Sequence, residues 1–132
     1  MHVATIRRAA LVLAAAGALG FAVAARSDAA PLDGAAMLPA LAGATTRGIN
    51  LYGNPYTVRF LADGTIEGVA GYDDEYADSG TWWVEGDTLC RRWSAWLEGA
   101  TDCFSVTIED AKIHWTHVES GDVVTEDYTP PE

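Results

Sequence analysis

The chain has 132 residues, of which 19 are acidic and 8 are Lys or Arg, for a net charge of −11. That length holds one domain and not two. The acidic balance excludes nucleic acid as a partner, because phosphate binding needs Lys and Arg to displace condensed counterions.

The first thirty residues stand apart from the rest. Met1 to Arg8 is short and basic, and Ala9 to Ala25 runs for 17 residues without a charge, built mainly from Ala, Leu, Val and Gly. Small residues follow at the spacing a signal peptidase reads, Val23 with Ala25 or Ser27 with Ala29. A basic start, an apolar middle and a small-residue end make a secretory signal. The apolar run nearly spans a bilayer, but Ala and Gly partition weakly, so residues 1–30 read as a cleaved signal peptide rather than an anchor. Arg7-Arg8 invites a twin-arginine reading, yet Thr5 is one place too early, and ordinary secretion fits better. The mature part, residues 31–132, is then periplasmic or secreted, with no membrane association after cleavage. It holds five basic and 18 acidic residues, a net charge of −13. Such a surface repels anionic lipid, favours solubility and suits a basic protein partner.

Asp33 to Leu41 reads as a short helix capped by Asp33 and stopped by Gly43, with Pro39 limiting it to about two turns. After Gly43 the pattern changes to short alternating runs broken by Asp-Gly, Ser-Gly and similar turns. Strands are predicted near 45–51, 56–61, 65–70, 79–84, 88–93, 103–108, 112–118 and 123–128. Eight short strands with tight turns predict an all-β, up-and-down antiparallel meander closing into a small calycin-like barrel, since closure removes the sheet edges. Thr129 to Glu132 is a Pro-rich tail expected to fray.

The hairpins set a register. A loop with left-handed Gly64 pairs Leu61 with Thr65 and sets Phe60 against Ile66, so Tyr56, Val58 and Phe60 face inward. A Gly86-Asp87 turn pairs Val84 with Leu89 and Trp82 with Arg91. An even cysteine count in an exported chain predicts a Cys90–Cys103 disulfide. Placing those two opposite each other sets Leu89 against Phe104, points Leu89, Phe104, Val106 and Ile108 inward, and turns both cysteines away from the core. A turn at Asp110-Ala111 brings Ile113, Trp115 and His117 inside. Ser120-Gly121 then pairs His117 with Val124, which points Val124, Glu126 and Tyr128 inward; a slip of one residue would bring in Val123, Thr125 and Asp127 instead.

Trp82, Arg91, Trp93, Trp115, His117, Glu126 and Tyr128 thus cluster towards one side of the interior. Convergent polar groups in an apolar cavity are how small-ligand sites are built. Arg91 suits an acidic ligand group, His117 and Glu126 would orient it, and the tryptophans would stack on it. The alternative is that Trp82 and Arg91 stack structurally while His117 and Glu126 sit at a wet rim. Neither metal nor cofactor is expected. His114 and His117 are three apart on a strand and face opposite sides, and Asp73-Asp74-Glu75 with Asp78 lacks the spacing of a calcium loop. There is no Gly-x-Ser-x-Gly elbow and no catalytic residue stands out, so an enzyme is not expected; Glu126 and His117 are the only pair that could be tested as one.

Phe60 with Asp63-Gly64-Thr65, then Gly80-Thr81-Trp82, Leu89-Cys90 and Cys103, preceded by Gly43-Ala44-Thr45, resembles a family of small exported proteobacterial proteins of unknown function. The likeness covers most of residues 43–108 and implies a fold but no activity. Gly80-Thr81-Trp82 with Arg91 also looks like the Gly-x-Trp signature of lipocalins, where that Trp packs near an Arg, although here the motif falls near the fourth strand rather than on the first. The leading functional expectation is an exported module holding an apolar or aromatic small ligand in the barrel. The alternative is a non-enzymatic envelope interaction or inhibitor module acting through its acidic surface on a basic partner.

Overall fold

A computed structural model describes residues 29–132. The export signal read over residues 1–30 lies outside them, save its last two positions. Helix α1 (Gly34–Leu41) precedes eight strands: β1 (Thr45–Ile49), β2 (Pro55–Phe60), β3 (Thr65–Ala70), β4 (Tyr76–Glu85), β5 (Thr88–Trp93), β6 (Thr101–Glu109), β7 (Lys112–His117) and β8 (Val123–Thr129). Each strand pairs antiparallel with the next, and β1 closes on β8 through Thr45–Thr129, Thr46–Tyr128 and Arg47–Asp127. The fold is the closed eight-stranded meander that the turn rhythm implies. Among the described residues no helix is long and apolar enough to cross a membrane.

Most of the register follows from the turns. Phe60 pairs with Ile66, Trp82 with Arg91, Val84 with Leu89, Cys90 with Cys103 and Leu89 with Phe104. Asp110 and Ala111 both take left-handed backbone, with φ of 51° and 65°, so Ile108 meets Ile113 across a tight primed turn. The last hairpin differs from expectation. Its turn is longer: the His117 N–H donates to Asp122 O, and the Gly121 N–H donates back to His117 O. Val124 therefore pairs with Trp115 rather than with His117. The displacement is two residues, and side chains alternate with period two, so Glu126 and Tyr128 keep the inward face.

Three boundaries also differ by two residues or more. β1 ends at Ile49 because Asn50 Oδ1 accepts the N–H groups of Tyr52 and Asn54 at 2.9 and 3.0 Å, folding residues 50–54 into a side-chain-capped turn. β4 begins three residues early, at Tyr76, where it extends along β3 to Ala70. β6 begins at Thr101, pairing with Arg92.

The helix stoppers one end of the barrel. Asp33 Oδ1 caps it by accepting the Ala36 N–H at 2.9 Å. Met37 and Leu41, four apart on one face, are fully buried. Four hydrogen bonds tie this segment to the barrel: Leu32 N–H to Val106 O, Gly34 N–H to Asp87 Oδ1, Tyr128 OH to Ala40 O, and Gly43 N–H to Phe60 O. Only glycine fits at position 34, where a Cβ would lie 2.3 Å from the carbonyl oxygen of Gly86. Above the helix sits a layer of Phe60, Ile66, Trp82, Leu89, Val106, Ile113 and Trp115, all within the buried core. Phe60 meets Trp82 edge-on and stacks on Trp115, each at 5.7 Å between ring centroids.

The disulfide joins Cys90 and Cys103 across β5 and β6. It lies on the outer face as expected, but Cys90 is fully buried. Its neighbours there are its register partner Trp83 and Thr88, whose Oγ1 is 3.9 Å from Sγ. Reduction should lower the unfolding free energy by about 3 kcal/mol on the chain-entropy account of a loop this size. Urea denaturation with and without reductant measures it; coincident curves would show that the cross-link adds nothing.

Candidate functional site

The end of the barrel opposite the helix is open. It is bordered by the β1–β2, β3–β4, β5–β6 and β7–β8 connections and holds a cup of about 900 Å³. Small-ligand pockets span roughly 300–1,000 Å³. The walls are largely apolar. Val58 and Ala70 face it from β2 and β3, and Trp93 and Trp96 form one side. The two indoles lie 4.8 Å apart, tilted by 49°. They sit against Gly68 of β3, where a Cβ would come within 2.5 Å of Trp96 and 2.8 Å of Trp93. Glycine at that position is what lets two large rings share the wall.

Trp96 is carried by a segment with no strand pattern. Leu97, Glu98 and Gly99 form a single left-handed turn, with φ of 56°, 57° and 67°. L-residues adopt this conformation at a cost of roughly 1–2 kcal/mol each. The Asp78 carboxylate holds the turn, accepting the N–H groups of Ala95 and Trp96 through Oδ2 at 2.8 Å each. Desolvation works to raise the Asp78 pKa, but the backbone donors of Trp96, Ala95 and Ser79 outweigh it and hold the carboxyl below its usual value. Asp78, counted with the acidic turn in the sequence, is therefore a loop clamp.

The floor of the cup is polar. Tyr56, Arg91 and Glu126 line it, from β2, β5 and β8. Glu126 is only 5% exposed. Its Oε1 accepts the Trp115 indole N–H at 2.8 Å, and its Oε2 accepts a short hydrogen bond from the Tyr56 hydroxyl. Gly48 lies opposite Tyr56 and leaves room for its ring: a Cβ there would lie 2.6 Å from the phenolic oxygen. Burial, then the Glu126 charge and its hydrogen bond, push the Tyr56 pKa well above the ordinary phenol value. The Arg91 guanidinium lies 4.8 Å over the Phe104 ring and 6.0 Å from the Trp115 ring. Its Nε is buried and has no hydrogen-bond partner among the described residues.

The structure divides the seven residues that the sequence grouped. Arg91, Trp93 and Glu126 line the cup. Trp82 does not: it is buried in the central layer, and its indole N–H donates to Leu61 O at 2.9 Å, towards the stoppered end. Trp115 packs between Phe60 and Phe104 and acts on the cup through Glu126. Tyr128 points to the helix and donates to Ala40 O. His117 packs edge-on against Phe104, accepts the Ser120 N–H at Nδ1, and engages Asp102 Oδ1 through Nε2 at 3.1 Å. The grouping failed because inward direction says nothing about height along the barrel axis. Trp82 pairs with Arg91 in register, while the arginine side chain packs on Phe104 and Trp115.

Residues outside that group complete the cup. Tyr56 is legible from its inward alternation with Val58 and Phe60. Trp96 and Leu97 are not, because an irregular turn carries no periodicity. The mouth is rimmed by exposed Ile49, Leu51, Tyr52, Tyr76, Leu97 and Val124, with Leu51 99% and Tyr52 87% accessible. His114 faces the outer surface, where Nδ1 meets Thr125 Oγ1 at 2.8 Å, on the opposite side of the sheet from His117.

A raised Tyr56 pKa has a signed consequence for stability. Between the unfolded value near 10.0 and the higher folded one, the unfolded chain binds fewer protons. The stabilisation is complete below that lower bound and is lost as pH rises through the window. Tyr56→Phe should flatten this alkaline loss while lowering stability at neutral pH by about 1–3 kcal/mol, because Glu126 Oε2 loses its donor. Denaturation midpoints across the alkaline range test both parts. The chain matches no protein-family model, no curated protein and no solved structure.

Proposed function

We propose that the mature protein is an exported binding module that holds an apolar or aromatic small ligand in the cup at the open end of its barrel. The observation that carries this reading is the cup itself: about 900 Å³, walled by Trp93, Trp96, Val58 and Ala70, with its few polar groups gathered on the floor. A barrel of this size can fill its interior completely with side chains. Here the aromatic layer fills only the half next to the helix. The exposed apolar mouth supports entry of an apolar molecule, since large exposed apolar residues gathered at one place mark binding surfaces. The left-handed turn supports it as well. Strained backbone persists where surrounding structure enforces it and is concentrated at ligand clamps, and this one positions Trp96 and Leu97 at the cup.

The Cys90–Cys103 disulfide supports residence in an oxidising compartment, in keeping with the signal read in residues 1–30. Mass spectrometry of the product recovered from a bacterial periplasm should give a chain lacking everything up to Ala25 or Ala29.

Binding is testable with a neutral aromatic fluorophore such as phenylnaphthylamine. Val124→Trp puts an indole at the mouth from a half-exposed position and should abolish binding without unfolding the barrel. Trp96→Ala removes one wall and should weaken binding several-fold, stacking contacts being worth about 0.5–1.5 kcal/mol beyond the area they bury. Unchanged titrations in both variants would reject the cup as the binding site.

A further inference from the structure

We infer that the cup selects ligands that pair an apolar or aromatic body with an acidic oxyanion, and that the oxyanion binds at the floor on Arg91. This inference rests on the ligand-binding reading above and adds the chemistry of the ligand's polar end.

The argument is an inventory of donors and acceptors. Three charged groups lie at or beside the floor: Arg91, Glu126 and Asp102, the last opposite Arg91 in register. Both oxygens of Glu126 are occupied, one by Trp115 and one by Tyr56. Asp102 is held by His117. The ion pairs among the described residues are Arg59–Glu67 and Lys112–Asp127, and His117 meets Asp102 at 3.1 Å; none of these contacts involves Arg91. Arg91 is thus the one charged floor group whose hydrogen-bonding capacity is unspent, with a buried Nε that has no partner. A guanidinium carries five donors in a planar fork that matches a carboxylate or sulfonate bidentately. A buried polar group without a partner is costly; solvent does not reach Nε, so a ligand in the cup meets the other donors of the same guanidinium, which lines it.

The opposite polarity fits poorly. A cationic ligand would have to share Glu126 with Tyr56 and Trp115 while facing the guanidinium. Desolvation lowers the Arg91 pKa, and Glu126, Asp102 and Tyr56 oppose that effect; arginine stays charged in either case. The two nearby carboxylates stabilise the cation at a distance and leave its donors free. The guanidinium rests 4.8 Å from the Phe104 ring centroid and 6.0 Å from that of Trp115, contacts that limit its reorganisation on binding. The orientation of the ligand follows: acidic group down on Arg91, apolar body between Trp93, Trp96 and the rim.

Two dyes that share the same rings separate the inference from the reading beneath it. Anilinonaphthalene sulfonate carries an oxyanion, and phenylnaphthylamine does not. The oxidised wild-type protein should bind the sulfonate at least about 10-fold more tightly, as expected for a charge-assisted hydrogen bond in a dry site. Arg91→Met should erase that preference, lowering affinity for the sulfonate far more than for the neutral dye, while Arg91→Lys should retain part of it. Far-ultraviolet circular dichroism checks that each variant keeps its barrel. Equal affinity for the two dyes in wild-type protein, or a sulfonate preference that survives in Arg91→Met, overturns the inference and leaves the cup as a general apolar site. Failure of both dyes to bind removes the cup reading, and the inference with it.

Discussion

The packing of Phe60, Trp115 and Phe104 across the middle of the barrel is the contact on which the rest depends. Phe60 stacks on Trp115, and Trp115 meets Phe104 edge-on, each pair 5.7 Å apart. These rings come from β2, β6 and β7, so the layer spans the interior rather than lining one wall. It divides the barrel into two compartments with different fates. Below it, Met37 and Leu41 fill the remaining space and the helix seals the end. Above it the interior is left open, because Trp93 at the end of β5 and Trp96 in the β5–β6 connection go to the wall rather than into the centre.

The same layer places polar chemistry where an apolar interior would otherwise exclude it. The Trp115 indole needs an acceptor when buried, and Glu126 supplies it. That carboxylate in turn is tolerable at 5% exposure because Tyr56 satisfies its second oxygen. Arg91 sits close enough for its charge to balance the site, and it rests on the Phe104 face instead of closing an ion pair. The floor is therefore asymmetric in what it offers: each Glu126 oxygen already accepts a hydrogen bond within the protein, whereas the Arg91 donors are left over.

How much of this was legible depends on the kind of constraint. Tight turns were readable because Asp63-Gly64, Gly86-Asp87 and Asp110-Ala111 demand left-handed backbone at particular positions, and each such turn fixes the pairing of the strands beside it. The cysteines confirmed the register between β5 and β6, since a pair that must meet can do so in one alignment only. The β7–β8 turn is less legible because Ser120-Gly121 lies inside a longer loop. The difference spares the burial pattern, as a shift of two leaves every side chain on its own face. The site fared worse. Trp82, Trp115 and Tyr128 point inward as expected, but they stand at the level of the aromatic layer or below it, where they meet Phe60, Phe104 and the helix. Trp96 carries no such signal, because the left-handed turn that follows it is held by Asp78, 18 positions earlier.

The sequence by itself determined the strands, their alternation, the disulfide and the closure of the meander, because each is a local or nearest-neighbour matter of period, turn geometry and pairing. Only the tertiary structure decided which end of the barrel is filled and which is open. That outcome rests on contacts between elements distant in the chain, the helix with β2, β6 and β8, Gly68 with Trp93 and Trp96, Tyr56 with Glu126. Period-two alternation reports whether a side chain points in, whereas depth along the barrel axis depends on strand stagger and on what packs beside it. The height of Arg91 above Phe104, and with it the character of the site, is a property of that stagger.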